Sequence, residues 1–368
     1  MLMLARAGHG GRRQVGRLRI AQVAPLYESV PPKCYGGTER VVSYLTEELV
    51  RQGHQVTLFA SGDSLTAAEL VPCCPNALRL DRRYVDQLAH HYVMLEEVFQ
   101  DTSRFDLIHF HIDYLHYPLS TRQPCPYLST LHGRLDLPDL ATLYRKYSGV
   151  PVVSISDAQR RPLPWLNWQG TVYHGLPPGL HSLRERPGKY LAFLGRISPE
   201  KRLDWAIDIA RRTGLPLKIA AKISAHDEEY FKAEIQPLLR QSASFVEFLG
   251  EIGGDDKDEF LGNAYAMLFP IDWPEPFGLV MIESLACGTP VIAYRRGSVP
   301  EVVADGVTGF IVDNVAAGVR AVERTATLSR RKCRQVFEER FTADRMADDY
   351  VAIYEQIVHA KAATLPVQ

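Results

Sequence analysis

The chain has 368 residues, of which 46% are hydrophobic and 23% charged, with a formal net charge of -1. That length accommodates two ordinary globular domains, and the near-neutral charge argues against bulk attraction to nucleic acid. No apolar run reaches the roughly 20 residues that span a bilayer, and the six cysteines show no CxxC spacing, which points to reduced thiols in a cytoplasm rather than a disulfide frame or zinc site.

Residues 1–17 are rich in Gly and Arg and hold no acidic residue. They read as a disordered leader or as the product of an upstream start codon. Leu18 to Ala24 reads as a first strand, followed by a loop with Pro25, Pro31, Pro32 and Gly36-Gly37. An amphipathic helix from about Thr38 to Gln52 and a strand from Gln55 to Ala60 complete a βαβ start. Gly36-Gly37-Thr38-Glu39 lacks the GxGxxG spacing of a dinucleotide turn, but its glycines let backbone approach a ligand at a helix N-terminus. Phe105 to His116 is a buried strand running into a loop. It carries His109, His111, Asp113 and His116, a set that also reads as a metal cluster, because alternation places His109 and His111 on one face. Tyr127 onward is another strand, ending in His132-Gly133, and the carboxyl end of a parallel strand is where open α/β sheets bind ligands.

Val150 to Ser154 is a strand capped into a helix by Ser156-Asp157. Arg160 to Trp168 mixes arginines with tryptophans, a composition suited to local packing and, as a lesser reading, to a membrane surface or an acceptor ring. Thr171 to Leu176 reads as a last short strand of a first domain spanning 18–178. Pro177 to Gly188 is rich in breakers and reads as a linker.

A second domain, 189–335, opens with Tyr190 to Gly195 as a strand, then Arg196 and a helix start at Ser198-Pro199-Glu200, with Lys201 beside it. Two cations at a helix N-terminus suit a diphosphate, Arg offering a fork and Lys a point charge. Leu217 to Lys222 and Val246 to Gly250 are strands, with Lys222 at the end of the first facing a ligand, and Asp255 to Gly262 begins a charged helix. Ala264 to Pro270 is a buried strand leading to Ile271-Asp-Trp-Pro-Glu-Pro-Phe-Gly-Leu279. Prolines on both sides of Glu275 forbid helix there, Gly278 turns the chain, and Leu279 to Cys287 is a short helix stopped by Gly288. Glu283 falls one turn inside that helix, and the N–H groups of Phe277, Gly278 and Leu279 face outward, where anions bind. Two carboxylates beside an anion-binding helix end suit a ligand with both hydroxyls and phosphates. Pro290 to Tyr294 and Gly306 to Val312 are further strands, and residues from Leu328 to Val358 read as helix.

The stretch from Glu275 to Glu283, with Pro-Phe-Gly-Leu between them and Gly297-Ser-Val-Pro-Glu301 following, resembles the E-x7-E signature of retaining glycosyltransferases of family 4, which have the GT-B fold. The resemblance covers about 17 to 360. It implies two Rossmann-like doubly wound domains facing a cleft, with the terminal helix, 336–360, crossing back onto the first. It also implies that Gly36-Gly37 approaches the donor phosphates, that Arg196 and Lys201 form the phosphate-binding pair, and that His132 approaches the donor sugar or acceptor. By the same resemblance Glu275 bonds sugar hydroxyls, Glu283 bonds the ribose diol, and the backbone near Gly250 meets the base. Asp-x-x-His-x-His recurs in that family without metal. With no D-x-D pair near the donor site, no metal or other cofactor is expected. The expected reaction is transfer of a hexose, with retention, from a nucleoside diphosphate sugar, UDP-glucose or a related UDP-hexose first and GDP-mannose second, to a small-molecule, glycan or lipid-linked acceptor. A noncatalytic nucleotide-sugar-binding protein of the same fold is the alternative. The expected location is cytoplasmic, with peripheral contact at the inner membrane face as a lesser reading.

Overall fold

The computed structural model describes residues 16–364 apart from Cys34, Leu80 and Arg82, so nearly all of the leader lies outside the described residues. Among the described residues, thirteen strands form two parallel sheets. The first contains β1 (Arg19–Val23), β2 (Gln55–Ser61), β3 (Glu69–Cys74), β4 (Leu107–Phe110), β5 (Tyr127–Thr130), β6 (Val152–Ser154) and β7 (Trp168–Thr171), in the order β3-β2-β1-β4-β5-β6-β7. The second contains β8 (Leu191–Arg196), β9 (Leu217–Lys222), β10 (Val246–Gly250), β11 (Ala266–Phe269), β12 (Val291–Tyr294) and β13 (Gly309–Val312), in the order β10-β9-β8-β11-β12-β13. Central strands such as β4 and β11 are buried at every position, which is why they read as unbroken apolar runs.

Both orders reverse at one place, between β1 and β4 and between β8 and β11. Crossover connections leave in opposite directions there, so the loops after those four strands splay apart and open a crevice at the strand carboxyl ends. Loops from both sheets line one cleft, including Pro25 after β1, Asp113 after β4, Lys201 after β8 and Glu275 after β11. The fold is therefore α/β with two doubly wound sheets facing a cleft.

The C-terminal helix Ala343–Thr364 belongs to the first sheet's core. Its Met346, Ala347, Tyr350, Val351 and Tyr354 pack with Ile20, Val41, Leu45, Leu107 and Leu128. The chain crosses between the two halves twice, and the crossings run side by side: Leu176 N–H donates to Phe341 O at 2.9 Å and Ala343 N–H to Leu176 O at 2.9 Å. A side chain at Gly175 would meet Thr342 O at 2.1 Å, so only glycine permits that approach.

Three differences from the sequence reading bear on the site and the crossings. The last strand of the first sheet is Trp168–Thr171 rather than Thr171 to Leu176. Its last ladder bond is Val172 N–H to Ser154 O, after which the backbone leaves the sheet to pair with the returning crossing. The helix expected at Ser198 is a single tight turn, Pro199–Lys201, followed by Arg202 in a left-handed conformation (φ 52°) and a separate helix Leu203–Thr213. The Glu200 carbonyl accepts from Asp272 N–H at 2.8 Å, so it serves the Glu275 loop instead of a continuing helix. The helix expected from Leu328 to Val358 is two, Arg330–Arg340 and Ala343–Thr364. Cys333, Val336 and Phe337 stay in the second sheet's core, and the crossing helix starts at Ala343, not 336.

Candidate active site

The cleft between the sheets encloses about 590 Å³, within the range of small-molecule sites. Its wall on the second sheet is built from the loops after β8 and β11. Lys201, at the end of the tight turn, forms an ion pair with Glu275. Trp273 Nε1–H donates to the same carboxylate at 2.9 Å, and Lys201 Nζ lies 4.8 Å from the centre of the Trp273 ring. Neither partner is fully buried, so a bound anion and a bound hydroxyl can exchange with this pair. Arg196, at the end of β8, bonds Glu200 at 2.7 Å and lies 3.4 Å from Asp227. Burial works against its charge, but those two carboxylates outweigh that and hold its pKa above the ordinary value.

The loop carrying Glu275 is held from behind. Ser298 N–H donates to Glu275 O at 3.0 Å and Ser298 Oγ to Phe277 O at 2.7 Å. Gly278 caps the helix Leu279–Ala286 in a left-handed conformation (φ 83°). The Phe277 side chain is buried against His174 and Phe341, so only its backbone is available to a ligand. Glu283, one turn into that helix, is 2% exposed and lines the cleft. Its Oε1 accepts from Lys257 Nζ at 2.8 Å, while Oε2 is buried without a hydrogen-bond partner. Burial pushes the Glu283 pKa up, but the charge of Lys257 prevails and the carboxyl stays below its ordinary value. A buried, ionised oxygen lacking a partner suits a hydroxyl donor from a ligand.

Gly36, Gly37, His132 and Lys222 also line the cleft. A side chain at Gly36 would meet Pro32 at 2.7 Å, and one at Gly37 would face Leu279 at 3.8 Å, so the glycine loop stands opposite the second-sheet helix end. Lys222 Nζ reaches across to the Tyr35 ring, 5.1 Å from its centre. Gly250 is not part of the lining. It ends β10 with φ 75°, and Glu251 and Ile252 just beyond it reach the wall instead. His132 bonds His111 at 2.9 Å and stacks on His174, and burial pushes its pKa down to about 3. Nothing in the sequence singled out Lys257, Trp273 or Tyr35, which the fold brings to the same site, and Asp113, read from the sequence only as a metal-ligand candidate, joins them. Asp113 sits at φ 49° just after the β4 histidines, and burial raises its pKa to about 6.

The histidines that suggested a metal cluster are engaged elsewhere. His109 bonds Tyr354 and Thr130 at 2.7 Å each, and His116 bonds Ser120 and Ser129. A different trio, His181, Asp258 and Cys287, has its ligand atoms within 4.8 Å of one another. Asp258 there also accepts from Ser182 N–H at 2.7 Å and sits beside Arg184, which makes it an anchor for the connecting segment. No helix of the described residues is long and apolar enough to cross a membrane.

Residues 182–339 match the family model described as Glycosyl transferases group 1, and residues 35–193 match Glycosyltransferase Family 4. The chain is 26% identical to the D-inositol 3-phosphate glycosyltransferase of Saccharomonospora viridis, over 93% of this chain and 95% of that protein. Its fold is similar to that of sucrose-phosphate synthase from Thermosynechococcus elongatus, with a TM-score of 0.75 and 20% identity over 94% of this chain and 100% of that one. It is also similar to an Anabaena protein, HepE, solved in complex with UDP and glucose. There the TM-score is 0.70 and the identity 17%, over 94% of this chain and 100% of that one.

Proposed function

The chain is a glycosyltransferase of the family 4 type with the GT-B fold, and from that premise we propose that it moves a hexose from a nucleoside diphosphate sugar, UDP-glucose or a related UDP-hexose, to an acceptor hydroxyl with retention of configuration. One observation carries the reading. Two cations, Arg196 and Lys201, and two carboxylates, Glu275 and Glu283, line one wall of a single cleft, facing His132 and the Gly36-Gly37 loop.

In this reading the diphosphate lies against Arg196 and Lys201. As the glycosidic C–O bond breaks, negative charge grows on the leaving phosphate and positive charge on the sugar ring, and fixed cations stabilise the former without reorganising. Lys201 exchanges its partner Glu275 for a phosphate oxygen, and Glu275 turns to the sugar hydroxyls. Glu283 Oε2 accepts from a ribose hydroxyl while Lys257 holds its other oxygen. Retention follows from departure and attack on the same face of the ring, the leaving phosphate oxygen taking the acceptor's proton. Arg196 and Lys201 supply the neutralisation a divalent ion would otherwise provide, so turnover is expected to persist in chelator. UDP is favoured because a structural relative binds UDP and glucose. A phosphorylated polyol acceptor fits the relative named for inositol 3-phosphate.

The test is nucleoside diphosphate release by purified protein across UDP-glucose, UDP-galactose, GDP-mannose and ADP-glucose. Lys201→Ala is expected to lower the rate with the preferred donor by about 10²-fold, the usual cost of losing one charge-stabilising donor. Unchanged turnover in that variant would remove the phosphate assignment, and release only from GDP-mannose would replace the donor.

A further inference from the structure

A chain of hydrogen bonds runs from the cleft into the first sheet's core and ends on the C-terminal helix. His132 Nε2 is 2.9 Å from His111 Nδ1, and His111 Nε2 is 2.8 Å from Gln22 Oε1. Gln22 Nε2 is 3.2 Å from Tyr354 Oη, which is 2.7 Å from His109 Nδ1. His109 Nε2 is 2.7 Å from Thr130 Oγ1, and that hydroxyl is 2.8 Å from Tyr350 Oη. Gln22, His109, His111, Thr130, Tyr350 and Tyr354 are all buried, so no water competes for these bonds.

The direction of the bonds between Gln22 and the cleft follows from the amide. Gln22 Oε1 can only accept, so the hydrogen between it and His111 sits on His111 Nε2. A neutral imidazole carries one N–H, which leaves His111 Nδ1 bare and able only to accept. His132 Nε2 must then be the donor in the His132–His111 bond. The second nitrogen of His132, Nδ1, is buried and has no protein partner. His132 lines the cleft.

We infer that Gln22 and His111 are positioning residues: they hold His132 in the tautomer with hydrogen on Nε2, so that Nδ1 presents a bare lone pair to a sugar hydroxyl. Tyr354 of the C-terminal helix completes the device by accepting the Gln22 amide hydrogens and passing its own hydrogen to His109. A helix that crosses from one half of the molecule to the other thus sets the protonation pattern of a residue in the cleft. The consequence for a ligand rests on the glycosyl-transfer reading above, whereas the tautomer does not.

The experiment is a long-range proton–nitrogen correlation spectrum of the full-length protein carrying isotope-labelled histidine, with the His132 signals identified by their loss in His132→Gln. A protonated Nε2 and a bare Nδ1 in His132 are the expected result. A protonated Nδ1, or a mixture of the two forms, overturns the inference whether or not any nucleotide sugar is turned over. Gln22→Met removes the acceptor that orders His111. It should mix the His132 tautomers and lower the rate of nucleoside diphosphate release about 10-fold with little change in donor KM, the scale seen when a group orienting a functional histidine is lost. Gln22→Glu keeps an acceptor for His111 and should retain the ordered tautomer and most of the rate. A Gln22→Met protein with unaltered His132 signals and rate would also overturn it. Should every donor prove inert, the transfer reading fails while the spectrum still decides the tautomer.

Discussion

Two lysine–glutamate pairs stand on one wall of the cleft and their burial separates their uses. Lys201–Glu275 retains some exposure on both partners, so each can trade the other for ligand. Glu283 is nearly sealed, with Lys257 on one oxygen and nothing on the other. Removing one member of a buried pair leaves a charge with neither water nor partner, which typically costs about 3–5 kcal/mol. Lys257→Met should therefore destabilise the protein by about 3 kcal/mol in denaturant unfolding, whereas the exposed-pair variant Arg331→Ala should shift it by less than about 1 kcal/mol. Adding Glu283→Gln to Lys257→Met should recover most of the stability while donor affinity stays low. A Lys257→Met protein as stable as the parent would show that Glu283 is not ionised in the fold. The pH dependence has a definite sign. Glu283 has its folded pKa depressed, so its contribution is present above the unfolded glutamate value near 4.3 and is lost as pH falls through the lower folded value.

At the scale of elements, the Glu275 loop is shaped less by its own sequence than by the turn after β12. Gly297 (φ 50°) lies so close that a side chain there would meet Glu275 O at 2.2 Å and Glu275 N at 2.4 Å. Both are backbone atoms, so no side-chain rotation relieves the clash. Gly297→Ala is expected to push the Glu275 loop into the cleft, lowering the turnover rate by at least about 10-fold, while Gly214→Ala, at a left-handed position with open space around it, should only lose stability. Equal activity in the two variants would show that the turn does not place the loop. What was legible in the sequence follows the same division. Strands such as β4 and β11, the Glu275–Glu283 spacing and the cations after β8 are local patterns, and each could be read from its own residues. The strand Glu69–Cys74 was not seen because its exposure alternates irregularly at a sheet edge. The helix Gln87–Gln100, capped by Asp86, is hard to read from sequence because its exposed Leu88, Tyr92 and Val93 blur the apolar stripe. Lys257 looked like one more surface charge on a charged helix, since only the approach of Glu283, 26 residues away, gives it a role. The breaks at Arg202 and Phe341–Thr342 were likewise invisible, because bonds to distant backbone produce them.

Across the whole molecule, the histidines are distributed unevenly, and that asymmetry has an energetic consequence. Burial lowers the pKa of His109, His111, His116, His132 and His174, and also of His54, His91 and His181. Seven of them lie in the first half, while His181 sits in the connecting segment beside Asp258 and Cys287 of the second. In the folded state burial favours the neutral ring, whereas in the unfolded chain the histidines take up protons below about pH 6.5. The unfolded state then binds more protons, so stability is full above pH 6.5 and falls as pH drops towards the depressed folded values. A ring that stays neutral while the unfolded chain protonates contributes a slope of at most about 1.4 kcal/mol per pH unit, and every buried histidine adds in the same direction. The first half should accordingly lose stability as pH falls below about 6.5, ahead of the second. Trp165 and Trp168 report on the first half, Trp205 and Trp273 on the second, so variants keeping one pair at a time resolve the two transitions by fluorescence. The Trp165/Trp168 signal should change first on acidification, and His116→Asn should move that midpoint to lower pH once its own loss of stability at pH 7.5 is subtracted. The C-terminal helix should be released with the first half, because its tyrosines bond His109 and Thr130 there. Coincident midpoints for both tryptophan pairs would mean the crossings at Leu176 and Thr342 couple the halves more strongly than the buried histidines divide them.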